Sequence, residues 1–164
     1  GLDPLLERFG LATFGRAPAR FDMAELAALN ARTVHLLPFE AVRDRLPEGM
    51  GEGDWGAIRP NLATVAEAAV WWKILQGHVE RAAEEEDRAF LTAAAQAAGE
   101  IDWSGSPWPQ LAERLKRTSG RAGKALFRPL RLALTGRESG PEMAALLPLI
   151  GRDETVARLR AAAG

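Results

Sequence analysis

Cysteine is absent from this chain, which excludes disulfides and thiolate chemistry. Tyrosine is absent too, and the two histidines, His35 and His78, lie far apart with no ligand spacing around either, which argues against a zinc site. Neither has a Ser, Cys or Asp companion at a catalytic spacing. No apolar run approaches the roughly 20 residues of a membrane span. The opening residues, Gly-Leu-Asp-Pro-Leu-Leu-Glu-Arg, lack the basic leader and apolar core of a signal peptide. A start at Gly1 suggests a processed chain or part of a longer one, and the cytoplasm is the expected compartment. Valine, isoleucine and threonine are sparse, and stretches of period two are few, so strands find little support.

One further absence is local. Acids slightly outnumber bases, 22 against 21, yet no acid occurs between Arg114 and Arg137. That stretch holds eight bases: Arg114, Lys116, Arg117, Arg121, Lys124, Arg128, Arg131 and Arg137. Ordinary surface helices intersperse acids that pair with such bases along the helix. A positive block in a weakly acidic chain instead points to a polyanion, and bases beside Gly120, Gly123 and Gly136 suit phosphate, which backbone amides can approach there.

Alanine, leucine, arginine and glutamate dominate, and 164 residues at 47% hydrophobic content suffice for one core or two small helical units. The pattern predicts an all-α chain. Helices are expected over 21–37 with Asp22 as N-cap, 39–46, 62–76, 84–100, from Ser106 to about Thr118, 125–135, 141–150 and 154–162 with Asp153 as cap. Residues 47–53 read as a loop and 55–59 as a helical turn. Over 62–76 the apolar stripe reads Leu62, Val65, Ala69, Trp72 and Gln76, which leaves Trp71 at a seam between subdomains or exposed for stacking on a base. Trp55, Trp103 and Trp108 read as anchors near loops. Pro129 is tolerable if it falls in the first turn. The acidic run 84–87 reads as a solvated helix start favoured by the macrodipole. A division near Gly77 would give two helical subdomains, 21–77 and 78–164.

The segment Lys-Ala-Leu-Phe-Arg-Pro-Leu-Arg-Leu-Ala-Leu-Thr-Gly-Arg-Glu-Ser-Gly-Pro-Glu-Met-Ala-Ala-Leu-Leu-Pro-Leu-Ile-Gly-Arg-Asp (124–153) resembles the C-terminal signature of bacterial glutamyl-tRNA synthetases. There a P-L-R-x-A-L-T-G helix precedes a G-P or T-P turn and an L-L-x-x-x-G-(R/K)-(D/E) helix. Further matches are 15–22, 29–32 and 69–73, so the resemblance runs from about Phe9 to the end. It implies an α-helical anticodon-binding bundle of two subdomains, with residues 1–20 as the tail of a linking region. The family's nucleotide-binding motifs, like His-Ile-Gly-His and Lys-Met-Ser-Lys-Ser, do not occur here. The resemblance therefore implies no catalytic residue, metal or cofactor in this chain. ATP and magnesium would belong to the parent enzyme's catalytic domain, and this chain alone should make no glutamyl adenylate.

The implied partners are tRNA(Glu), with tRNA(Gln) as an alternative, and the catalytic domain of the same enzyme. By resemblance Arg131 contacts the anticodon loop, and Gly140, Pro141 and Met143 line the turn over its bases. Asn61 stands where some members carry an arginine that reads the third anticodon base, with Arg59 two residues before. Lys124, Arg128, Arg121, Arg117 and Arg137 are the expected phosphate contacts. A different reading is a free-standing helical paralogue acting as a protein or RNA adaptor, with 47–53 and Trp71–Trp72 as its surface.

Overall fold

A computed structural model describes residues 22–77, 79 and 83–164. Eight α-helices and no strand occur among them. They are α1 (Met23–Leu36), α2 (Glu52–Ile58), α3 (Ala68–Leu75), α4 (Arg88–Glu100), α5 (Pro107–Ser119), α6 (Lys124–Thr135), α7 (Met143–Ile150) and α8 (Arg152–Ala163), with short 3₁₀ turns between. No helix among the described residues is long and apolar enough to cross a membrane. Residues 1–20, and His78, lie outside the described residues.

Several helix ends follow the sequence signals. The Asp22 side chain accepts from the backbone N–H of Ala24 at 2.8 Å and of Glu25 at 3.4 Å, satisfying amides that the first turn leaves open. Gly120 and Gly136 close α5 and α6 in the left-handed region, at φ +68° and +67°. Other expectations need correction. Residues 39–46 form two 3₁₀ turns, Phe39–Ala41 and Arg43–Arg45, not an α-helix. Asp153 lies in the first turn of α8, and Gly151 holds the cap position. Pro129 is the sixth residue of α6, beyond the first turn. Its missing N–H would leave the Ala125 carbonyl without a helical donor, and the Arg121 guanidinium donates to that carbonyl at 3.3 Å.

The apolar stripe over 62–76 is also displaced. Its buried members are Leu62, Val65, Ala68, Trp71, Ile74 and Leu75. A 3₁₀ turn at Val65–Glu67 opens the segment, with three residues per turn, so burial first recurs every third residue. Trp71 is therefore the core residue and Trp72 the partly buried one.

The tightest pairing lies between α4 and α8. Helix α4 buries Ala94, Ala95, Ala97 and Ala98 beside Phe90 and Leu91, and these small side chains let the partner helix approach closely. Helices α5 and α6 add stripes at helical spacing, Leu111 and Leu115, then Leu126, Leu130, Ala133 and Leu134. Helix α7 touches α2, α3, α5 and α8, so one buried cluster runs from Val34 to Ala162.

Candidate nucleic-acid interface

The interface starts from two helix ends. Helices α3 and α6 both stop where their last carbonyls lack intrahelical donors. Arg158 of α8, only 4% exposed, meets both: its Nη1 donates to the Leu134 carbonyl at 2.8 Å and its Nη2 to the Leu75 carbonyl at 3.2 Å. Its Nε donates to Glu154 at 2.8 Å. Beside this joint is a groove of about 790 Å³ lined by Lys73, Ile74, Gly77, Thr135, Gly136 and Arg137, among others. Lys73 and Arg137 are exposed cations on its lining. The Arg137 guanidinium lies 5.9 Å from the Trp71 ring centroid, within cation–π range. Sequence reasoning missed both Arg158 and Lys73. The i, i+4 pair Glu154–Arg158 was visible, but pairs of this kind are common on helix surfaces and nothing local marks this one as buried.

The turn after α6 is built around Trp71. Gly140 adopts φ +139°, and a Cβ there would lie 2.2 Å from the Trp71 ring. Only glycine fits that approach. The Thr135 hydroxyl donates to the Arg131 carbonyl at 2.7 Å and accepts from the Arg137 N–H at 3.2 Å, which fixes the chain as it leaves the helix. Pro141 and Met143 are buried, so neither offers an exposed side chain to a ligand; the accessible part of the turn is its 137–140 stretch.

Arg131 is half-buried, and its Nη2 donates to the Pro141 carbonyl at 3.0 Å. Its Nη1 is buried with no hydrogen-bond partner among the described residues. Burial pulls this guanidinium below its ordinary value, offset in part by Glu142. Asn61 is exposed at the end of the Arg59–Asn61 turn. Arg59 is half-buried and donates to the Leu37 carbonyl at 2.7 Å, beside Trp55 Nε1 at 3.0 Å. It is held as an anchor for the end of α1 and cannot replace an arginine at position 61 without breaking that bond.

The basic block is less free than its sequence implies, because acids from other segments reach it. Arg114 pairs with Glu100, and Arg121 pairs with the buried Asp87 and stacks on Phe90 at 4.4 Å. Arg128 pairs with Glu84 at 2.7 Å and Glu138 at 2.8 Å. The hydrogen bonds it donates to Glu84 and then Glu138 raise the Arg128 guanidinium above its ordinary value. The acidic run 84–87 opens its helix as expected, with Glu85 and Glu86 exposed, while Glu84 and Asp87 also pair with the block, and Asp87 is buried rather than solvated. A phosphate contact from Arg121 or Arg128 requires displacing a carboxylate. Lys116, Arg117, Lys124 and Arg137 are exposed and carry no ion pair among the described residues.

Among the described residues no group of three or more His, Asp and Glu side chains gathers to hold a metal ion. The arrangement offers cations, a helix-end groove and an aromatic, which is a binding surface for a polyanion with flat apolar groups.

Comparison with known proteins gives the same direction. The model of the anticodon binding domain family matches residues 62–163. A glutamate–tRNA ligase of Rhizorhabdus wittichii is 59% identical over 159 residues, which cover 97% of this chain and 36% of that protein. One from Zymomonas mobilis is 51% identical over 162 residues, 98% of this chain and 36% of that protein. The chain thus spans about a third of the length of the curated relatives it matches. A crystal structure of a glutamate tRNA ligase from Elizabethkingia meningosepticum in complex with its amino acid shares the fold, with a TM-score of 0.75 at 21% identity over 99% of this chain and 36% of that one.

Proposed function

Because the chain belongs to the anticodon-binding domain family, we propose that it binds the anticodon loop of tRNA(Glu) as part of a glutamate–tRNA ligase. The observation that carries this reading is the groove at the ends of α3 and α6, with Lys73 and Arg137 on its lining. An anticodon loop presents unstacked bases and closely spaced phosphates. Cations position such a loop through its phosphates, and base contacts supply the specificity. Lys124, Arg117 and Arg137 serve the phosphates. Arg131, the turn around Gly140 and Pro141, and Asn61 serve the bases. Met143 supports the turn from inside. Arg121 and Arg128 contribute only where their carboxylates yield.

Charging with glutamate, and the ATP and magnesium it needs, belong to the catalytic domain of the wider enzyme, which acts in the cytoplasm. The absence of an arginine at position 61, with Arg59 engaged elsewhere, removes one means of separating glutamate from glutamine tRNAs. We therefore propose that tRNA(Gln) is bound as well. The adaptor reading has no observation in its favour.

Titration of labelled anticodon stem-loops by fluorescence anisotropy tests this. The stem-loops of tRNA(Glu) and tRNA(Gln) should both bind at micromolar concentration, with similar affinity, and above an unrelated stem-loop. Equal binding of all three, or binding no tighter than to heparin, would sink the anticodon reading. A strong preference for tRNA(Glu) alone would remove only the statement about tRNA(Gln).

A further inference from the structure

Helix α6 buries Leu126, Pro129, Leu130, Ala133 and Leu134, yet leaves Phe127 42% exposed. Core packing accounts for the first group and not for Phe127. Counted from Lys124, Phe127, Arg128 and Arg131 fall at i+3, i+4 and i+7, the spacing of a single helix face. These four side chains and Glu138 line a hollow of about 200 Å³. An exposed phenyl ring on a cationic face is the opposite of a satellite core.

Two further observations point to a ligand. Trp108, half-buried on α5, lies 5.8 Å from the Phe127 ring, centroid to centroid, at 41°. A tilted aromatic pair of this kind holds the phenyl ring in a fixed orientation, so little order is lost when something stacks on it. In addition, Arg131, which lines the same hollow, has its Nη1 buried without a partner among the described residues. A buried unpaired donor costs free energy, so this guanidinium gains from any small shift that brings an acceptor to it.

We propose that Phe127 is a stacking platform for one unpaired base of the bound RNA, with Lys124 at the neighbouring phosphate. The inference rests on the anticodon-loop reading. A nucleotide joins a flat apolar face to a phosphate in one ligand, which matches an aromatic ring flanked by cations. A protein helix, about 10–12 Å across with its side chains, is too wide for a hollow of this size.

The test uses this chain as wild type and as Phe127→Ala, Phe127→Leu and Phe127→Trp, with a set of anticodon stem-loops that each lack one loop base. Far-UV circular dichroism checks that each variant is folded. Phe127→Ala and Phe127→Leu should bind the intact stem-loop about tenfold more weakly, and Phe127→Trp should retain affinity. The loss should vanish on one abasic RNA and persist on the others, because only that RNA lacks the stacked base. Unchanged affinity of the Leu variant would overturn the proposal, as would a loss of equal size on every abasic RNA, which is the result of a covered protein contact or a local collapse. A wild-type chain that binds no stem-loop sinks the RNA reading itself, and this inference with it.

Discussion

Arg128 sits between two carboxylates, Glu84 and Glu138, and both are largely exposed, at 52% and 62% of the side chain. Exposed pairs of this kind open easily in water. Arg121 differs, because Asp87 is buried and Phe90 lies against the guanidinium, so it is fixed in place. The two arginines looked equivalent in the sequence, and only the acids brought from other segments distinguish them. Replacing Glu84 and Glu138 by Gln should free Arg128 for phosphate. RNA should then bind more tightly, and the slope of log K against log salt should steepen by about 0.7–0.9, one extra phosphate contact. Glu40→Gln, which removes a charge beside Arg43, should leave the slope as it was; a slope unmoved in the double variant counts against a masked Arg128. Arg131→Ala should weaken stem-loop binding while the far-UV helical signal stays intact. A gel-shift titration with unchanged affinity would remove Arg131 from the site.

Among the elements, the joint of α3, α6 and α8 is the critical one. Arg158 closes two helix ends, donating to the Leu134 and Leu75 carbonyls, on which no other side-chain donor occurs among the described residues. Charged hydrogen bonds of this type contribute about 1.5–3 kcal/mol each. Arg158→Met should cost about 3 kcal/mol of stability in urea unfolding, and a change below 1 kcal/mol would mean that water replaces it readily. Gly140→Ala forces a methyl into the Trp71 ring, 2.2 Å from its nearest atoms, at a φ that side chains avoid. It should lower the melting temperature and weaken RNA binding together; a variant that melts and binds like the wild type would show that the turn repacks freely.

Most helices were legible at this scale, because Asp22, Gly120 and Gly136 act on the backbone within one turn of themselves. The register of Trp71 and Trp72 was not, because a 3₁₀ turn at 65–67 shifts every later residue by a fraction of a turn. The starts of α3 and α7 fall after their expected positions for a related reason: Leu62 and Pro141 are buried before the helices begin.

For the whole molecule, the acid-free interval 114–137 and the P-L-R-x-A-L-T-G words were the legible part of the site. The first is a property of one segment, and the field of a folded chain sums over all segments. Acids at 84, 87, 100 and 138 offset part of that block, and the cations that carry no ion pair among the described residues are Lys116, Arg117, Lys124 and Arg137, with exposed Lys73 on a distant helix. Recognition by charge alone would therefore be modest, and base contacts must supply the preference for an anticodon. The most direct measurement is the affinity of this chain, by fluorescence anisotropy, for the tRNA(Glu) anticodon stem-loop and for the same stem-loop with its anticodon replaced, across a salt series. The two RNAs should give parallel salt slopes, with tighter binding of the natural anticodon at every salt concentration. Coincident curves would contradict it, because binding would then be electrostatic with no reading of the anticodon.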